Sequence, residues 1–131
     1  MPDSPSYVVT GGAHGVGRAI VDRLARSGHV VIIDVADDLD RGDARVNLIT
    51  GDARDPDVAA NAARTAEGSG ALSGWVNNAA IFQGATLDLA SPAEILDLIT
   101  ANLALAVNGC HTAVNHSRRS PATYCLMVFV R

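Results

Sequence analysis

Hydrophobic positions along the chain switch between two periods. Tyr7-Val8-Val9-Thr10 is a short β-branched run that halts at two glycines, the pattern of a buried strand entering a tight turn. Past it, Val16, Ile20 and Leu24 recur every fourth residue with Ala19 and Val21 beside them, which predicts a helix with one apolar face. Ser27-Gly28 ends that helix, because glycine tolerates the left-handed cap conformation. His29-Val30-Val31-Ile32-Ile33-Asp34 is almost continuously apolar, as a strand covered on both faces of a parallel sheet must be.

The second half repeats the alternation. Residues 35–44 are acidic and irregular and read as a surface loop, and Arg45 to Thr50 reads as a third strand. Asp55-Pro56 supplies a cap and a first-turn proline for an Ala-rich helix that should stop near Gly68. Leu72 to Asn77 makes a fourth strand. Ser91-Pro92-Ala93-Glu94 has the form of a capping box. The helix it opens should run, with or without a break, to about Ser117, with Ile95, Ile99, Leu103, Ala106, Cys110 and Ala113 on one stripe. Tyr124 to Val130 is apolar enough for a fifth strand. The expected fold is therefore α/β, a doubly wound parallel sheet of about five strands with helices on both faces. No repeat or linker divides the chain, so residues 1–131 read as one partial domain whose tail, 122–131, is its doubtful part.

Composition narrows the partners. The net charge of −4 offers no basic patch for nucleic acid or an anionic membrane. No apolar run approaches the roughly 20 residues that cross a bilayer, and the N-terminus lacks the regions of a secretory signal. A cytoplasmic location is the expectation. Cys110 and Cys125 read as free thiols, and the four histidines show no metal-ligand spacing, so no metal is expected. All ten basic side chains are arginines, so chemistry that needs a lysine ammonium is excluded from these residues.

The chemistry sits where the first strand gives way to the first helix. Gly11-Gly12-Ala13-His14-Gly15-Val16-Gly17 lets backbone approach a pyrophosphate, and the helix N-terminus offers unpaired N–H groups and a positive dipole end. Asp34 closes the second strand 17 residues beyond Gly17, where a carboxylate can accept both ribose hydroxyls of an adenosine. Asn102 falls on the inward side of the long helix, where a buried amide needs partners.

Thr10-Gly11-x-x-x-Gly15-x-Gly17 resembles the glycine pattern of the short-chain dehydrogenase/reductase family, and other segments match in order from about residue 6 to 119. The resemblance implies a Rossmann-like fold and hydride transfer between a nicotinamide cofactor and a small alcohol or carbonyl substrate. It implies that Asp52, followed by Ala53, hydrogen-bonds the adenine amine. Asn77-Asn78-Ala79-Ala80 matches the family's Asn-Asn-Ala-Gly segment, which steadies the sheet and lines the nicotinamide ribose; Ala80 replaces the glycine. Asn102 matches the helix asparagine that holds a water in the family's proton relay. The cofactor-binding set is thus Thr10, Gly11, His14, Gly15, Val16, Gly17, Asp34, Asp52, Ala53, Asn78, Ala79 and Ala80, with Asn102 the one catalytic match. NAD is favoured over NADP, because a 2′-phosphate would meet the Asp34 carboxylate. Where NADP-preferring members carry Arg or Lys, this chain has His14 and Val35.

The family's Ser and Tyr-x-x-x-Lys have no match. Tyr124 is followed four residues later by Val128, and reads as strand packing. The break in resemblance near residue 121 suggests a shifted or truncated reading frame, against which a genuine short protein is the competing view. Three functions stay open: the cofactor half of an NAD-dependent oxidoreductase, a silent NAD-binding or interaction module, or a non-functional remnant. The family also implies a homo-oligomer through the 95–117 helix, whose bare apolar face would favour association.

Overall fold

A computed structural model describes residues 4–38, 42–82, 85–117 and 124–127. Five strands form one parallel sheet: β1 (Pro5–Thr10), β2 (His29–Asp34), β3 (Val46–Thr50), β4 (Ala71–Asn77) and β5 (Tyr124–Met127), in the order β3-β2-β1-β4-β5. Three helices connect them: α1 (Gly15–Leu24), α2 (Pro56–Ser69) and α3 (Pro92–Ser117). The predicted doubly wound sheet is present, and the fifth strand occupies the first part of the Tyr124–Val130 run. The expectations for residues 128–131 lie outside the described residues.

Chain order explains where a crevice must open. From β1 the chain steps outward to β2 and β3, then returns to place β4 on the other side of β1. The connections leaving β1 and β4 therefore diverge to opposite faces, and the gap lies at the carboxyl ends of these strands. Period-two alternation sends Val9, Val30, Ile32 and Val76 to the face covered by α1, with Val21 and Ala25 from that helix. Val8, Val31, Ile33, Leu72 and Trp75 point the other way. There they meet Ala59, Ala62, Ala63 and Ala66 of α2, a small-residue face at helical spacing that lets the helix lie close to the sheet.

Both predicted helix starts hold. Asp55 caps α2 by accepting from the Asp57 N–H at 2.9 Å. In the capping box of α3, the Ser91 N–H donates to Glu94 Oε2 at 2.7 Å, and the Glu94 N–H donates to Ser91 Oγ at 3.3 Å. Two expectations are corrected. Gly28 does not adopt the left-handed conformation, which is confined to Gly11, Gly15 and Gly42 among the described residues. It is small because a Cβ there would strike the Pro5 carbonyl.

The second correction concerns α3. The helix is continuous, and its inward face carries Leu105, Gly109, Thr112 and Ala113, whereas Ile99 and Leu103 are 55% and 60% exposed. Apolar residues circle this helix almost completely, so spacing alone could not choose the inward side. The choice is made by fit: Gly109 lets the helix backbone approach the buried Trp75 and Asn77, where a Cβ would collide with Asn77 Oδ1. With so many apolar positions, Pro92–His116 is long and apolar enough to cross a membrane by length and composition alone. One face of the helix is docked on β4 and α2.

Candidate functional site

The crevice at the switch point is a cleft of about 360 Å³. It is lined by the glycine loop, the end of β2, the turn after β3 and the segment after β4. Gly11 (φ 66°) starts the loop, and its N–H donates to the Ile33 carbonyl at 2.8 Å, fixing it to β2. Gly17 lies on the Gly11 carbonyl and the Asn78 amide so closely that a Cβ would overlap both. That contact brings the first turn of α1 onto the carboxyl end of β1. His14 is the N-cap residue, but its side chain makes no capping bond, and no acidic residue stands in the first turn. The helix N-terminus thus meets the cleft with neither a cap nor a carboxylate against it, as an anion site requires.

The opposite wall is tied to this loop. The buried Thr10 hydroxyl accepts from the Asn78 N–H at 3.1 Å and the Ala79 N–H at 3.0 Å. The Asn78 side-chain amide donates back to the Thr10 and Gly11 carbonyls at 3.2 and 3.1 Å. Replacing Thr10 with valine keeps its shape and strands two N–H groups, so Thr10→Val should cost about 1–3 kcal/mol, measured by urea unfolding. Asn77 turns inward instead. Its Oδ1 accepts from the Trp75 indole at 3.1 Å, and its amide donates to Cys110 Sγ at 3.4 Å, pinning α3 to β4.

Asp34 ends β2 with both oxygens aligned. Oδ2 accepts from the Ala13 N–H at 3.0 Å and Oδ1 from the Ala36 N–H at 3.1 Å. These bonds orient the carboxylate while leaving each oxygen a further lone pair. On the cleft's outer rim His14 Nε2 lies 3.5 Å from Asp38, both well exposed.

Asp52 has a partner that the sequence reading missed. Arg54 encloses its carboxylate, with Nε 3.1 and 3.0 Å from the two oxygens, a terminal nitrogen 2.7 Å from Oδ2, and the Arg54 N–H 2.8 Å from Oδ1. The Arg54 side-chain bond is the largest cause holding the Asp52 pKa below its ordinary value, with the Arg54 backbone bond next. Because the folded pKa is depressed, the stabilising contribution of this pair is complete above the unfolded value and is lost as pH falls through the folded one. Arg54→Ala should therefore move the Asp52 titration upward toward 3.8; carboxyl NMR across the acid range checks this. An i, i+2 Asp-x-Arg across a turn is the signal that would have found Arg54.

Asn102 is committed to backbone. Its Oδ1 accepts from the Ile81 N–H at 2.9 Å, and its amide donates to the Ile81 and Leu98 carbonyls, both at 3.0 Å. It fixes the segment that follows Asn77-Asn78-Ala79-Ala80. Of the residues expected at the site, Gly11, His14, Val16, Gly17, Asp34, Asp52, Ala53, Asn78, Ala79 and Ala80 line the cleft. Thr10 holds the Asn78-Ala79 wall in place from behind, and Gly15 is not among the lining residues. Sequence reasoning missed Ile33, Leu105 and Ile81, apolar wall residues that look like any other core position.

A parallel sheet with a glycine loop, a helix N-terminus and a strand-end carboxylate around its switch point defines an α/β nucleotide-binding fold. The short chain dehydrogenase family profile matches residues 6–123, and the chain belongs to that family. Its members are oxidoreductases that use nicotinamide cofactors and act on small alcohol or carbonyl substrates. No curated protein sequence matches the chain. Among solved structures, the chain is similar to the ligand-free aldohexose dehydrogenase AldT of Thermoplasma acidophilum, with 28% identity and a TM-score of 0.72 over 90% of this chain and 46% of that one. A protein assigned as a short-chain dehydrogenase from Novosphingobium aromaticivorans shows 27% identity and a TM-score of 0.72, covering 86% of this chain and 46% of that one. LigO in its apo form, from Sphingobium sp. strain SYK-6, shares the fold at a TM-score of 0.81, with 23% identity over 96% of this chain and 51% of its own. The chain thus spans about half the length of the structures it matches.

Proposed function

We propose that this chain is the NAD-binding half of a short-chain dehydrogenase/reductase, the part that holds and orients the dinucleotide while a substrate alcohol or carbonyl is oxidised or reduced. The observation that carries the reading is Asp34: a carboxylate fixed at the end of β2 by two backbone amides, one of them from the glycine loop that leads into the uncapped N-terminus of α1. The chain's residues fit the cofactor piece by piece. The glycine loop and the first turn of α1 accept the pyrophosphate, Asp34 the adenosine ribose, and Asp52 with Ala53 the adenine. Asn78, Ala79 and Ala80 line the nicotinamide ribose. When bound, the cofactor supplies a hydride donor or acceptor. The chain's own contribution is to bind, orient and exclude water.

Proton transfer is not assigned to these residues. The sequence contains no lysine to lower a tyrosine pKa, so we read turnover by this polypeptide alone as negligible. Asn102, with its amide hydrogens given to Ile81 and Leu98, positions the cofactor-lining segment. A second reading, a silent NAD-binding module that works through association, is favoured by α3. Its outer face exposes Leu96, Ile99, Leu103, Val107 and Val114 on one side of the helix. A homo-oligomer through α3 is the form both readings share. Fluorescence titration with NADH tests the cofactor assignment: saturable micromolar binding, weakened strongly by NADPH substitution, is expected. Folded protein that binds no NADH would overturn it.

A further inference from the structure

The turn after β3 carries the adenine-reading residues of the proposed function, and its conformation is not set by β3 and α2 alone. The Gly51 N–H donates to the Asp34 carbonyl at 2.9 Å, and the Asp55 N–H donates to the Asp52 carbonyl at 2.9 Å. Between them lies the Ala53 carbonyl. It accepts from the Asn108 side-chain amide of α3 at 2.7 Å, a contact 55 residues distant in sequence. Ala53 is 7% exposed, so that carbonyl has little access to water and depends on its side-chain donor.

Asn108 lies six residues beyond Asn102 on the same helix, and the two asparagines do parallel work. Asn102 grips Ile81 beyond β4, and Asn108 grips Ala53 beyond β3. Leu105, midway between them, lines the cleft itself. Six residues of helix span about 9 Å, so α3 acts as a rigid spacer between two of the segments that line the cleft.

We infer that Asn108 is a positioning residue of the adenine subsite: it holds the Gly51–Arg54 turn so that Asp52 faces the exocyclic amine of an adenine. This inference rests on the proposed nucleotide function of the cleft. Arg54 and Asn108 divide the task. Arg54 fixes the Asp52 carboxylate relative to its own turn, and Asn108 fixes that turn relative to the rest of the site. Without the amide, the Ala53 carbonyl must rotate to find water, and the peptide that rotates is the one joining Ala53 to Arg54.

The test compares NADH with its hypoxanthine analogue, which replaces the adenine amine with an oxygen, on the full chain. Binding is read by titration calorimetry, alongside the melting temperature of each variant. Unsubstituted protein should prefer NADH about tenfold, the worth of one positioned charge-assisted hydrogen bond. Asn108→Leu fills the space with no donor and should bring the ratio near one. Asn108→Ser, which retains a shorter donor and serves if the leucine variant does not fold, should bring it to an intermediate value. General loosening would weaken both ligands equally and leave the ratio intact; that result overturns the inference. So does an unsubstituted protein that binds both equally, because Asp52 would then read no amine. An unsubstituted protein that binds neither ligand removes the nucleotide function itself, and the inference with it.

Discussion

Gly17→Ala is expected to destabilise the fold by about 3 kcal/mol and to abolish measurable NADH binding, the stability cost being that of overpacking a site with no slack. The added methyl would overlap the Gly11 carbonyl and the Asn78 amide. Neither can retreat alone. Gly11 is held by its N–H to Ile33, and Asn78 is bound on both its backbone and side-chain nitrogen to Thr10. What gives must be α1, which would lift from the sheet, uncover Val21 and withdraw its N-terminus from the cleft. Gly15 is the control. It has φ 58° with nothing within 4 Å of a Cβ, so Gly15→Ala meets only the backbone cost of the left-handed region, about 1–2 kcal/mol. Urea unfolding and NADH titration on both variants separate the two mechanisms. A Gly17→Ala protein with unsubstituted stability would mean that α1 is not seated on β1 in the way described.

The pair of glycines shows what could be read from the sequence and what could not. A β-branched run stopping at Gly11-Gly12 and a helical period opening at Val16 were enough to place a strand–loop–helix unit, because each signal is local. Which glycine is there for its φ and which for close approach depends on Asn78, 61 residues beyond Gly17 and just past the end of β4. Asp34 was legible for the same local reason, as a lone carboxylate ending an apolar strand. Its two amide donors, Ala13 and Ala36, come from turns whose geometry no pattern specifies. The inward face of α3 failed to emerge because periodicity identifies a face only when the other faces are polar. Gly109 decided it, by the space it leaves for Asn77 and Trp75. Asn108 and Arg54 were invisible as single letters; each gains meaning from the turn that carries Asp52.

Asp34→Ala is expected to weaken NADH binding about a hundredfold and to leave NADPH binding little changed. Preference for NADH should then fall from about a hundredfold to near parity. The discrimination is electrostatic. A 2′-phosphate placed where the ribose hydroxyl meets Asp34 would sit roughly 5 Å from the carboxylate. At an effective dielectric near 20, each like charge there costs about 3 kcal/mol before screening. Removing the carboxylate lifts that penalty from NADPH but also removes the bond from its remaining 3′-hydroxyl, so the two nearly cancel. NADH, by contrast, loses two charge-assisted hydrogen bonds and gains nothing. Asp34→Asn is the less clean variant. Both Asp34 oxygens already accept backbone N–H groups, so one amide nitrogen would be turned donor-to-donor against Ala13 or Ala36. It should therefore disturb the glycine loop even without ligand, visible as a lower melting temperature than Asp34→Ala shows. Salt gives an independent check, because a penalty between partly exposed charges shrinks as the Debye length falls. The unsubstituted protein should discriminate less between the cofactors at 1 M salt than at 0.05 M. NADPH bound as tightly as NADH at low salt would put the 2′ position away from Asp34, and the charge argument for NAD would fail at its first step.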